Sequence, residues 1–236
     1  MMCGLRMCLM SATDYSAARP GTHVTDSDRR PTWRPNRPRD WFGDIDIYLF
    51  DQILKERLRP DMRVLDAGCG GGRNLVFFLR AGYDVCGVDR SAEAIDQART
   101  LAARVGAESE RVDFRSEPVD RLSYADGEFD AVISSAVLHF ADDEAHFGRM
   151  VGEMWRVLAA GGMFFARLAS TIGIEGLVVP LGNRRFRLPD GTERLLVDEA
   201  LILGTTERLG GALLEPVKTV NVQNQRCMTT WVVRKA

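Results

Sequence analysis

Between Arg63 and Leu168, short apolar runs alternate with helical periodicities, and this alternation restricts the fold more than any other feature of the sequence. Arg63-Val64-Leu65-Asp66, Val85-Cys86-Gly87-Val88-Asp89, Val112-Asp113-Phe114-Arg115, Phe129-Asp130-Ala131-Val132-Ile133-Ser134 and Met163-Phe164-Phe165-Ala166-Arg167-Leu168 each read as a strand. Helices fit between them. One runs from Arg73 to Ala81 and closes at Gly82. A second is capped by Ser91 and runs to Ala103, with Glu93 and Asp96 in its early turns. A third runs from about Asp142 to Leu158 and stops at Gly161-Gly162. Strands separated by single helices require βαβ units, so the fold class is α/β with a mostly parallel sheet. Right-handed crossovers then place a ligand at the carboxyl ends of the strands.

The flanks are read the same way. Phe42, Ile45, Leu49, Phe50, Ile53 and Leu54 form a helical stripe over 41–54 that ends near Arg59-Pro60, because proline disfavours helix in the residue before it. Asp198 to Leu209 reads as a helix, and Val217–Val222 and Met228–Val233 as two last strands. Residues 1–38 carry Pro20, Pro31, Pro35 and Pro38 and little periodicity, so a mobile tail is expected there, followed by a single domain over 39–236. The opening Met1–Met10 run reads as a tail or an over-extended start, not a signal peptide.

The 236 residues suffice for one sizeable core. Thirty-one basic against 33 acidic residues leave a net charge of −2, which gives no case for bulk nucleic-acid binding. Five cysteines with no Cys-x-x-Cys exclude a disulfide framework and a zinc site, and fit free thiols in a reducing cytoplasm. No apolar stretch reaches the roughly 18 residues of a membrane helix.

The first strand runs into Asp66-Ala67-Gly68-Cys69-Gly70-Gly71-Gly72-Arg73-Asn74. A dinucleotide fingerprint, Gly-x-Gly-x-x-Gly, fails here, because its third glycine would fall on Arg73 or Leu75. A phosphate loop ending in Gly-Lys-Ser/Thr is also absent. What remains is an acid at the strand tip and glycine at every second place. The glycines let backbone approach a ligand closely, and the acid repels a pyrophosphate but suits a cationic head such as an amino acid's ammonium. Asp89 ends the second strand, where an acid can accept both ribose hydroxyls. A ligand with an amino-acid end and a nucleoside end is S-adenosylmethionine.

Val64 to Asn74, Gly82-Tyr83-Asp84-Val85, Val88-Asp89, Gly127 to Phe140 and Trp155 to Gly162 resemble class I S-adenosylmethionine-dependent methyltransferases over roughly 41–170. The Gly72-Arg73-Asn74 ending is most similar to the small tellurite-resistance-type enzymes. The resemblance implies a Rossmann-like, doubly wound sheet of seven strands, mostly parallel, with an antiparallel edge strand. It implies that Asp66, Ala67, Gly68, Cys69 and Gly70 hold the methionine part. Asp89 would bind the ribose and Arg90 would lie over the adenine, with Glu117 where the family often has an Asp facing the adenine amine. Ser134 and Ser135 would lie beside the sulfonium centre.

Two catalytic candidates follow. His139 lies near the sheet's carboxyl edge and reads either as a general base or as a packing histidine with one satisfied nitrogen. Arg167, a cation inside an apolar strand, reads either as an anion-binding fork or as half of an ion pair. Residues 171–197 exceed what the sheet needs; with Arg184, Arg185, Arg187 and Asp190-Gly191 they read as a hairpin lid over the substrate. The expectation is a methyltransferase of a small-molecule acceptor, an anionic one if the arginines face it, with no metal and no membrane partner. Methylation of RNA or protein, and cofactor binding without turnover, stand as alternatives.

Overall fold

A computed structural model describes residues 37–236. The expected tail falls outside the described residues except for its last two, and Pro38 opens the first helix. The stripe over 41–54 is two helices, α1 (Pro38–Phe42) and α2 (Ile47–Leu54), where one was expected. Two residues explain the break. Gly43 takes a positive φ of 62°, and Asp46 caps α2 by accepting the Tyr48 N–H at 2.9 Å.

The elements that follow are β1 (Arg63–Ala67), α3 (Val76–Arg80), β2 (Asp84–Asp89), α4 (Ala92–Val105), β3 (Val112–Ser116), β4 (Phe129–Ser135), α5 (Glu144–Val157) and β5 (Leu158–Ser170). Caps fix the helix starts where the sequence placed them. The Ser91 hydroxyl accepts the Ala94 N–H at 3.2 Å, and Asp198 accepts from Leu201 at 2.8 Å at the start of α6 (Glu199–Arg208). Helix α3 starts three residues later than expected, because Gly70 to Leu75 are taken up by turns.

The main path of the sheet is β10-β11-β5-β4-β1-β2-β3, with β10 (Lys218–Val222) and β11 (Arg226–Lys235) at one edge. Strands β3, β2, β1, β4 and β5 are parallel. β11 runs antiparallel to β5 and to β10, and a short β9 (Gly211–Leu213) also pairs with it, making eight strands. This is the expected doubly wound, Rossmann-like architecture with its antiparallel edge. The strand order reverses between β1 and β4, so the crevice for a ligand lies outside the carboxyl ends of those two strands.

Both faces of the sheet are covered, which is why its strands are continuous apolar runs. One apolar cluster joins Leu65, Val132, Phe164 and Trp231 to α5 and α6; the other joins Val64, Ile133 and Phe165 to α2, α3 and α4. Alternation along β5 sends Phe164 to one face and Phe165 to the other. Phe164 meets Trp231 edge to face at 5.2 Å, and the Trp231 indole donates to Thr206 Oγ1 at 2.9 Å. Each such ring contributes about 1.5–3 kcal/mol by burial. Helix α2 is pinned from outside by Glu215, which accepts from Lys55, Arg57 and Lys218.

Residues 171–197 form a three-stranded antiparallel sheet of their own: β6 (Val179–Gly182), β7 (Arg185–Arg187) and β8 (Glu193–Leu195). The Asp190-Gly191 turn joins β7 to β8, and one strand more is present than a hairpin needs. Among the described residues no helix is long and apolar enough to cross a membrane.

Candidate functional site

Three cavities meet at the tip of β4, and Ala136 lines all of them. Ala136 holds a φ of 65°, a left-handed conformation that costs a non-glycine residue about 1–3 kcal/mol. Its N–H donates to the Arg167 carbonyl at 2.8 Å, which helps to hold it there.

The first cavity, about 990 Å³, lies over the glycine-rich turn and is lined by Gly68, Cys69, Gly70, Arg73, Asn74 and Ser135 among others. Gly68 has a φ of 85°, and a Cβ there would stand 2.4 Å from Val137 Cγ2, so only glycine fits. Gly70 has a φ of 52° and open space where its Cβ would be. The amides of Gly68 and Cys69 are already used, donating to the Val88 carbonyl at 2.8 and 2.9 Å. Burial, with Asp66 and Asp89 nearby, pushes the Cys69 thiol up, so it is no nucleophile.

Asp66 and Ala67 lie behind this surface and do not line it. The Asp66 side chain is 1% exposed, and neither carboxylate oxygen has a hydrogen-bond partner. Burial pushes its pKa up to about 7, against the pull of Arg73 and Asn74. A buried acid without a donor is costly in isolation, and its position fits a ligand that brings a cationic group. Ser134 is likewise fully buried with an unpartnered hydroxyl, and it is Ser135, on the alternate face of β4, that reaches the cavity.

The second cavity, about 410 Å³, is lined by Gly68, Asp89, Arg90, Pro118, Val119 and Asp120, and also by Phe140 and His146. The Asp89 carboxylate is fixed by two backbone donors, Gly70 N–H at 3.0 Å and Ser91 N–H at 2.9 Å, each on a different oxygen. Each oxygen keeps acceptor capacity. Glu117 turns away to accept the Ser123 N–H at 3.3 Å, and the acid that lines the cavity is Asp120.

The third cavity, about 310 Å³, is lined by both catalytic candidates, His139 and Arg167, together with Leu188, Arg194, Arg226 and Met228. His139 is 7% exposed and its Nδ1 accepts the Ala169 N–H at 3.3 Å. Burial first, then Arg194 and Arg226, lower its pKa to about 4. The ring is therefore neutral near pH 7 with its proton on Nε2. Arg167 Nη1 donates to Asp46 Oδ2 at 2.9 Å and its guanidinium lies 5.1 Å from the Tyr48 ring centroid.

Asp46 organises this centre, and the sequence reading did not single it out. It caps α2 and accepts from Arg167 and from the Ser135 hydroxyl at 3.2 Å; its N–H donates to Asn74 Oδ1 at 3.0 Å. Arg73 donates to the same Ser135 hydroxyl at 3.1 Å. One buried acid thus ties α2 to the glycine turn, β4 and β5. The readable signal was an N-cap: an acid directly before Ile47-Tyr48, inside a stripe that otherwise continues.

Comparison with known proteins agrees with this geometry. A family model described as a methyltransferase domain matches residues 65–166. A ubiquinone biosynthesis O-methyltransferase of Sinorhizobium medicae is 35% identical over 175 residues, 69% of this chain and 68% of the relative. One of Mesorhizobium japonicum is 30% identical over 219 residues, 86% of this chain and 84% of the relative. In structure, a Burkholderia thailandensis 1,6-didemethyltoxoflavin-N1-methyltransferase, solved with 1,6-didemethyltoxoflavin and S-adenosylhomocysteine, superposes with a TM-score of 0.63 at 22% identity, covering 83% of this chain and 80% of that one. Sheet order, family match and relatives matched over more than two thirds of their length agree, and the chain belongs to the class I S-adenosylmethionine-dependent methyltransferases.

Proposed function

We propose that the chain methylates an oxygen of a small-molecule acceptor held in the third cavity, with residues 171–197 as the lid. The observation that carries this is the junction at Ala136, where the two cofactor-side cavities open beside a third that His139 and Arg167 line. The names of the Sinorhizobium and Mesorhizobium relatives support oxygen as the accepting atom, and the compound bound to the Burkholderia protein supports a small acceptor. Similarity to tellurite-resistance-type enzymes rests on the Gly72-Arg73-Asn74 ending and the single-residue spacings of the glycine turn, so tellurite and selenite enter the acceptor trials on that ground.

In this reading Asp66 and the Gly68–Gly70 turn hold the methionine end of the cofactor. Asp89 holds the ribose, and Arg90, Pro118, Val119 and Asp120 enclose the adenine, with Asp120 taking the role expected of Glu117. S-adenosylmethionine supplies a methyl group already activated on a sulfonium centre. The protein's part is then to position an acceptor and exclude water. His139 serves as a donor through Nε2–H that orients the acceptor's oxygen; a base role at that nitrogen would require the proton it already carries to leave, so as the oxygen–methyl bond forms and the sulfonium–methyl bond breaks the hydroxyl proton passes to water. Arg167 is a positioning residue, spent on Asp46 and so holding α2 against the cofactor turn.

Calorimetry of S-adenosylmethionine binding tests the assignment. Asp66→Ala and Asp89→Ala are each expected to weaken binding by about tenfold or more, the loss of one charge-assisted contact. Unchanged binding in both variants, or no binding by the unaltered protein, refutes it.

A further inference from the structure

Three arginines line the third cavity, and they are not equivalent. Arg167 is paired with Asp46. Arg194, on β8, and Arg226, the first residue of β11, make no ion pair within 4 Å with any acid among the described residues, although neighbouring arginines do. Arg184 pairs with Glu144 and Asp198, and Arg187 with Glu193. Two of the three lid arginines that the sequence made conspicuous are thus neutralised, and the third, Arg185, donates to the Ala141 carbonyl at 3.4 Å and does not line this cavity. The two that face the cavity unpaired come from strands distant in sequence.

Arg194 is held in place by neutral contacts. Its Nη1 donates to the Glu193 carbonyl at 2.7 Å and its guanidinium lies 4.9 Å from the Phe140 ring centroid. The remaining N–H groups of its fork stay free for a ligand. The acid of the same cavity, Asp190, uses Oδ1 to accept the N–H and hydroxyl of Thr192 at 2.9 and 2.6 Å. Two unpaired guanidinium groups against one carboxylate leave the cavity positive.

We propose that the methyl acceptor is a compact hydroxylated carboxylic acid, its carboxylate taken by Arg194 and Arg226 and its hydroxyl by His139 Nε2–H. Leu188 and Met228 supply apolar wall for the carbon skeleton. The volume, about 310 Å³, lies at the small end of ligand pockets and suits one ring with short substituents. The inference rests on the methyl-transfer reading only in calling this occupant the acceptor.

The test compares 3,4-dihydroxybenzoate with its methyl ester, which keeps the catechol and removes the charge. Each is titrated into full-length protein saturated with S-adenosylhomocysteine, and each is also offered with labelled S-adenosylmethionine. The acid is expected to bind at least about tenfold more tightly than the ester. Arg226→Gln and Arg194→Gln should each remove most of that difference while leaving S-adenosylhomocysteine affinity unchanged. Arg226 is exposed at a strand start, so its replacement spares the fold. Equal binding of acid and ester, binding of neither, or a preference that survives both substitutions overturns the proposal. Selective, arginine-dependent binding of the acid without methyl transfer to it sustains the anion site and counts against the methyl-transfer reading instead.

Discussion

Cofactor affinity should depend on pH through Asp66. Its carboxyl is buried without a hydrogen-bond partner, and burial raises its pKa to about 7 from an ordinary 3.8. A ligand ammonium placed beside it favours the charged form and draws the pKa back down. Below pH 7 the ligand must therefore displace a proton, and affinity falls about tenfold for each unit of pH. Between pH 8 and pH 5 the loss amounts to about 100-fold, or about 2.7 kcal/mol. Calorimetry with S-adenosylhomocysteine at pH 5, 6, 7 and 8, in two buffers of different ionisation enthalpy, reads both the slope and the proton released. Asp66→Asn should bind weakly at pH 8 and show no slope. The ligand-free protein gives an independent readout. A carboxyl whose folded pKa lies above its unfolded value supports the fold below pH 4, and that support disappears as the pH rises through 7. Asp66→Asn should therefore be the more stable protein at pH 8, by up to about 4 kcal/mol. An affinity that changes less than threefold across the range, or an Asn variant that keeps the slope, refutes the reasoning.

Other outcomes follow from the same geometry. Gly68→Ala places a Cβ 2.4 Å from Val137 Cγ2 at a φ of 85°, so it should cost about 1–3 kcal/mol in urea denaturation and lower cofactor affinity. Asp46→Ala leaves Arg167 unpaired and uncaps α2, with an expected loss of about 3–5 kcal/mol by chemical denaturation, and Asp46→Asn should recover part of it. His139 should remain neutral from pH 8 to pH 5 when its ring is followed by NMR. Its folded pKa of about 4 lies below the ordinary 6.5, so its contribution to stability is present above pH 6.5 and lost as the pH falls through 4.

The layered fold was legible because burial on both faces of a parallel sheet writes each strand as an apolar run, as Val64-Leu65 and Phe164-Phe165 show. The glycine turn was legible because positive φ at Gly68 and Gly70 is a local demand. What escaped the sequence depends on distant partners or on one-residue offsets. Asp46 interrupts a helical stripe, and its meaning comes from Arg167, 121 residues away. Ser134 and Ser135 differ only in the face of β4 they take. Glu117 and Asp120 exchange places through the path of a short turn that periodicity does not encode. Arg194 and Arg226 share a cavity because the small β6–β8 sheet and the β10–β11 edge hairpin meet there, and charge spacing along the chain pointed instead to Arg184, Arg185 and Arg187.

The most direct test of the account follows the methyl group itself. Purified full-length protein is incubated with methyl-labelled S-adenosylmethionine and cell extract separated by mass and charge. Label is expected in a low-molecular-mass, anionic fraction, lowered by about tenfold or more in Asp89→Ala when S-adenosylmethionine is limiting. Label confined to RNA or protein, or none above the enzyme-free control while S-adenosylmethionine still binds, would contradict it.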